Sequence, residues 1–453
     1  MATGLLARAG SIAVAFLVAV LPLSAETLAD AMAHGYEHSG VLEQNRALLR
    51  AADEDVASAV ARLRPVVNWA TRITASHPAQ GPDPVTGTLA LTAEVVLWDG
   101  GRSALGVDIQ RETVLATRQS LIQAEQEILL RIVRAYTDVR RALSFVELRQ
   151  NNVRLITQQM RAAQDRFDVG DSTRTDVALA EARLAAARSQ LAAEQGNLAT
   201  ARAEFEAAVG RAPGTLAPVP PAPIRHSHDE AITWATRNHP AVVQTQHSVA
   251  AAELAVEVAS RANRPQVSLR GEIGTTYDFD STAESLSLTI GGPIYQGGLL
   301  ASQVRRAMAQ RDATRAGLLT TVQGITQNVT STWSMLQVVR ASAAALQQQV
   351  EAAQSALDGV QEEATLGART TLDVLNAEQE LLDARANLIS AQVDETVASY
   401  SLLAAMGLLT AQNLGLNVQI YDPEAYYSMV EHAPAALSDQ GRALDRVLRA
   451  IGD

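Results

Sequence analysis

The chain has 453 residues, no cysteine, 4% aromatic residues and a formal net charge of −12. Without cysteine there is no disulfide framework and no lipid anchor on an N-terminal Cys, so an exported form must be held by packing or assembly. The acidic balance, with no basic run and no basic–aromatic patch, argues against a nucleic-acid partner.

In chain order, the start reads Met1-Ala-Thr-Gly-Leu-Leu-Ala-Arg8, an apolar run from Ile12 to Leu23, then Ser24-Ala25. A short basic start, an apolar stretch of about a dozen residues and a small terminal residue describe a signal peptide over 1–25. No other segment is long and apolar enough for a spanning helix, so entry into a membrane must be through strands. A helix over Val41–Leu63 ends at Arg64-Pro65, where proline blocks continuation. A hairpin is expected at about 66–98. Val67, Trp69, Thr71 and Ile73 alternate with Asn68, Arg72 and Thr74; Leu89, Leu91, Ala93 and Val95 alternate with Thr92 and Glu94. Such alternation over roughly ten residues is the signature of a transmembrane barrel strand. From Val107 to Val169 there is neither Gly nor Pro, which predicts a helix roughly 95 Å long. After Gly170 a second long helix returns, its stripe Val177, Ala180, Leu184, Ala187 and Leu191 spaced as in a coiled coil.

The proline-rich stretch 211–227 (Pro213, Pro218, Pro220, Pro221, Pro223) is an extended linker that no helix crosses. The segments then recur over 228–410. A helix Ala241–Asn263 ends at Arg264-Pro265. A hairpin at about 266–295 follows, with Val267, Leu269 and Ile273 against Ser268, Arg270 and Glu272, then Leu286, Leu288 and Ile290 against Ser287 and Thr289. A long helix, a turn at Gly367 and a stripe of Val374, Ala377, Leu381, Ala384 and Leu388 complete the second unit. One shift of 197 residues places Trp98 on Tyr295, Gly170 on Gly367, Asp176 on Asp373, Glu181 on Glu378 and Gly210 on Gly407, so 26–210 and 228–410 are two copies of one unit. Four strands cannot close a pore, whereas three chains supply twelve. The tail 411–453, with Tyr421, Tyr426, Tyr427 and an amphipathic stretch at Leu444, Val447, Leu448 and Ile451, leaves two readings open: a strap at mid-height or a disordered end.

Together the chain resembles the TolC family of outer-membrane channels. The resemblance covers roughly residues 26–415. It is carried by Arg166-Phe-Asp-Val-Gly170 with Thr175-Asp176-Val177, by Gly367-Ala-Arg369-Thr370 with Asp373-Val374-Leu375-Asn376-Ala377, by Pro293-Ile294-Tyr295-Gln296-Gly297-Gly298, and by Asn238-His239-Pro240. It implies a mixed fold: a long antiparallel α-helical coiled-coil barrel forming a periplasmic tunnel, plus a trimeric twelve-stranded transmembrane β-barrel with four strands per chain. It also implies a homotrimer in outer-membrane lipid that docks a periplasmic adaptor and an inner-membrane transporter. The expected function is the exit duct of a tripartite efflux pump or type I secretion system.

By the same resemblance, Asp373 stands at an acidic constriction ring and Asn376 at a second ring, which is neutral here. Arg369 matches a bridging arginine whose partner positions are Thr175 and Asp176, while Ala364 stands where the family has a bridging tyrosine. The turns Val169-Gly170-Asp171 and Leu366-Gly367-Ala368 are the expected adaptor-docking tips. No catalytic residue, metal or cofactor is expected: the eight histidines are scattered, the close pairs His34/His38 and His226/His228 read as ordinary surface histidines, and the sequon Asn328-Val-Thr330 falls mid-helix. The competing reading is a periplasmic coiled-coil adaptor or scaffold without a pore, which should not carry four alternating strands.

Overall fold

A computed structural model describes residues 25–76, 85–170, 173–276 and 281–452. The expected signal peptide, and Asp171 among the tip residues, lie outside the described residues.

The elements follow as α1 (Leu28–Glu37), α2 (Gly40–Ala61), β1 (Val66–Ala75), β2 (Val85–Trp98), α3 (Arg102–Asp168), α4 (Arg174–Val209), α5 (His228–Asn238), α6 (Pro240–Ser260), β3 (Gln266–Thr276), β4 (Thr282–Gly291), α7 (Leu299–Thr365), α8 (Thr371–Ala405), α9 (Ala411–Leu414), α10 (Pro423–Val430) and α11 (Asp439–Gly452). The duplication is visible in the helices. Both α3 and α7 run 67 residues, about 100 Å at 1.5 Å per residue. Each packs antiparallel against the helix that returns beside it, α4 or α8.

The stripes expected of the returning helices are buried: Val177, Ala180, Leu184 and Ala187 on α4, and Val374, Leu381 and Ala384 on α8. On α4 they meet Val153, Ile156, Met160 and Ala163 of α3. Small residues alternating with large ones bring the helix axes close with little aromatic bulk. The thickest core lies at mid-height, where Leu129, Ile132, Tyr136 and Val139 of α3 pack with Phe205 and Val209 of α4 and Leu28 and Met32 of α1.

Two features differ from the sequence expectation. A further short helix, α1, precedes the expected one, which is α2; the two are opened by hydroxyl caps, Thr27 and Ser39. The second hairpin stops at Gly291 rather than near 295, since Pro293 has no N–H for the ladder. The linker is extended, as expected, and it is tied to the helices. Glu26 pairs in parallel with Leu216, the Tyr136 hydroxyl donates to the carbonyls of Glu26 (2.7 Å) and Ala217 (2.9 Å), and Ala222 N donates to Ser399 Oγ (2.8 Å). Of the two readings of the tail, the strap holds. Leu414 and Leu416 join the mid-height core, Tyr421 and Tyr427 reach the α2–α3 contact, and α10 packs along α2.

The four strands form one antiparallel sheet in the order β1-β2-β3-β4, so the central pair β2–β3 joins the two copies.

Candidate channel surfaces and gate

The sheet register sorts the strand side chains by face. Trp69 opposes Leu91, Leu91 opposes Ile273, Val95 opposes Leu269, Leu269 opposes Leu288 and Val267 opposes Ile290. Because side chains alternate along a strand, these residues share one face across all four strands. Trp69 (74%), Ile73 (72%), Leu286 (76%) and Ile290 (67%) are exposed on it, which is tolerable only against an apolar solvent. The other face carries Asn68, Arg72, Thr92, Ser268, Arg270 and Glu272, and Arg270 pairs there with Glu272 (3.3 Å) and Glu94 (3.9 Å). Apolar outside and polar inside is the pattern of a water-filled barrel wall. Within the chain β1 and β4 pair on one side only, and in lipid such edges must be closed by neighbouring strands.

At the opposite end of the long helices, each pair reverses at a glycine with positive φ, Gly170 (86°) and Gly367 (78°). Val169 and Leu366, equivalent under the repeat, are about four-fifths exposed at these tips, and Ala368 is exposed as well.

Both acidic candidates prove to be helix caps. Thr370 Oγ1 accepts from Asp373 N, while Asp373 Oδ2 accepts from Thr370 N (2.9 Å) and Oγ1 (2.8 Å). Thr173 and Asp176 repeat the arrangement at the start of α4. Hydrogen bonds from the Thr370 backbone and side chain hold the Asp373 carboxyl below the usual carboxylate range. A Thr-x-x-acid capping box was legible as Thr173-Arg-Thr-Asp176 and Thr370-Thr-Leu-Asp373.

Arg369 pairs with Glu363 of its own chain, Nε to Oε2 at 2.7 Å. Both groups are half exposed, so this ion pair is weak and exchangeable. Thr175 is exposed on the first turn of α4. Asn376 is exposed and accepts from Arg183 Nη2 of α4 (3.2 Å), a cross-link between the two copies that sequence reasoning missed. Ala364 has no polar side chain to bridge with, and its carbonyl accepts from Gly367 N.

A second missed residue is Glu378, two residues beyond Asn376. It is buried between α3 and α8, where Gln159 Nε2 donates to its Oε1 (3.2 Å), and burial pushes its carboxyl pKa up. Its repeat mate Glu181 is exposed within the single chain. There α8 packs against α3 of the other copy, whereas α4 has no equivalent helix of its own chain beside it among the described residues.

The profile of the outer membrane efflux protein family matches residues 37–211 and 231–408, one segment on each copy. The chain is 36% identical over 415 residues to the outer membrane efflux protein BepC of Brucella suis, covering 90% of this chain and 91% of that one. It is 26% identical over 306 residues to the alkaline protease secretion protein AprF of Pseudomonas aeruginosa, covering 64% and 63%. Among solved structures it superposes on the Campylobacter jejuni CmeC outer membrane channel with a TM-score of 0.76 at 13% identity, over 96% of this chain and 98% of that one. The polar-lined sheet, the long paired helices and these matches make the chain a member of the outer membrane efflux protein family, an exit duct whose barrel is completed by three chains.

Proposed function

We propose that this duct is shut at its periplasmic end by the turn region of the second copy and opened there when a periplasmic adaptor and its inner-membrane transporter engage the tips. In this reading Asp373 supplies a ring of three carboxylates and Asn376 a neutral ring beside it. Arg369 exchanges Glu363 for Thr175 and Asp176 of a neighbouring chain to form the latch. The observation that carries the reading is the Thr370 cap. It fixes Asp373 at the first turn of α8 and favours its ionised form, so three copies around one axis concentrate negative charge at the narrowest level. Exposed Val169 and Leu366 give the two tips matching apolar knobs for the adaptor. The duct conducts passively, and choice of cargo rests with the transporter and adaptor.

Single-channel recording of variants tests the gate. Asp373→Asn weakens cation preference and block by multivalent cations, and unchanged selectivity removes Asp373 from the constriction. Arg369→Ser raises conductance by breaking the latch, and a wild-type conductance removes Arg369 from it.

A further inference from the structure

We propose that α11 is an interfacial helix that lies on the periplasmic leaflet of the outer membrane, with phospholipid as its partner. Its position comes first. Arg64 stands two residues ahead of β1, where the chain enters the barrel, and its guanidinium donates to the carbonyls of Ala433 (2.7 Å) and His432. This corner of the tail is therefore pinned at the base of the barrel, with Ala433 in the left-handed conformation (φ 45°). The same base carries Trp98 and Tyr295, half and almost fully exposed, and fully exposed Ile294. That composition marks the level of a membrane–water boundary.

The pattern of the helix comes second. At about 100° per residue, Leu444, Val447 and Leu448 fall within an arc of about 100°, and Arg442, Arg446 and Arg449 gather on the opposite side. The protein covers only part of that apolar stripe. Leu444 is buried against Ala57, Tyr426 and Val430 and Val447 is half-buried, but Leu448 is 39% exposed, and Leu437, just ahead of the helix, is 88% exposed.

The helix is also held against rolling its stripe away. Ser438 Oγ donates to Ala435 O (2.6 Å) and accepts from Gly441 N (3.0 Å). Any side chain at Gly441 would place its Cβ 2.2 Å from that same carbonyl oxygen. A half-covered apolar stripe, fixed beside the exposed belt of a barrel, continues the lipid-facing surface of the strands onto the leaflet below them. Its arginines remain on the water side.

The chain has no cysteine, so single nitroxide labels are clean reporters. Leu448→Cys, Leu437→Cys and, as the water-facing control, Arg446→Cys are labelled and reconstituted as full-length channel. The vesicles contain phosphatidylethanolamine and phosphatidylglycerol, and collision with oxygen and with a water-soluble nickel chelate is measured. The expected result is an oxygen-to-chelate ratio at 448 and 437 at least about threefold above that at 446, lost when the same protein is moved into amphipol. Two results overturn the proposal. One is equal ratios at 448, 437 and 446, which puts the stripe in water. The other is low collision with both reagents together with dipolar broadening between labels, which means another protomer covers it.

Discussion

Replacing Asp53 by Asn should tighten the hold of the C-terminal strap on α2, an effect that grows above about pH 4 and is complete above about pH 6. Asp53 is fully buried, and neither carboxyl oxygen has a hydrogen-bond partner among the described residues. Burial pushes its carboxyl up from 3.8 to about 6; attraction to Arg118 works against the shift and repulsion from Glu54 adds to it. Around it the strap is tied down. Arg118 pairs with Glu424 (2.8 Å) and lies 5.3 Å from the Tyr427 ring centre, and the Tyr426 hydroxyl donates to Glu54 (2.7 Å). Since the folded-state pKa lies above the unfolded one, stability is fully present below pH 3.8 and is lost as the pH rises through about 6. The shift of about two units corresponds to roughly 3 kcal/mol, an upper bound because Asn also buries an amide. At pH 7.5 Asp53→Asn should slow hydrogen exchange of α10 by up to about a hundredfold, and at pH 4 it should do nothing. After correction for intrinsic exchange, a wild type equally protected at both pH values, or a variant less protected at pH 7.5, would refute the reasoning.

Four further outcomes follow from the geometry. Glu378→Gln keeps the hydrogen bond to Gln159 and removes a buried charge, so it should stabilise the α3–α8 contact at pH 8 and have no effect at pH 4, read by hydrogen exchange of α8. Thr370→Ala removes one half of the α8 capping box and should cost about 1 kcal/mol locally, seen as faster exchange over the first turn of α8 with α4 unchanged. Tyr136→Phe strips a buried donor from two carbonyls and should lower the thermal dissociation midpoint of the trimer through a loss of about 1–3 kcal/mol per chain. Gly407→Val combines a φ of 78° with a Cβ 2.9 Å from Pro240 Cδ, so it should prevent docking of α8 on the start of α6 and greatly reduce the yield of folded trimer.

The sequence made the architecture legible where physics is periodic. Alternation over 67–73 and 267–273 gave strands with the right apolar parity, and the spacing from Val177 to Ala187 gave a buried stripe. The repeat itself needed only the glycines and the Asp176/Asp373 pair. What stayed hidden depends on contacts between distant elements. Glu181 and Glu378 are identical in type and repeat position, yet within one chain only the second is buried, because its burial comes from α3 of the other copy. Arg183 to Asn376 is equally non-local. Asp53 reads as an ordinary surface acid of a charged helix until the strap covers it. At the turns, by contrast, the Thr-x-x-Asp pattern was present, and the family resemblance drew attention to the charge of Asp373 rather than to its local work as a cap.

The most direct test of the account is conductance. Purified protein added to a planar lipid bilayer should insert as trimers and give discrete current steps of uniform size with a preference for cations. Protein that stays soluble without detergent as single chains, and produces no current steps, would contradict it.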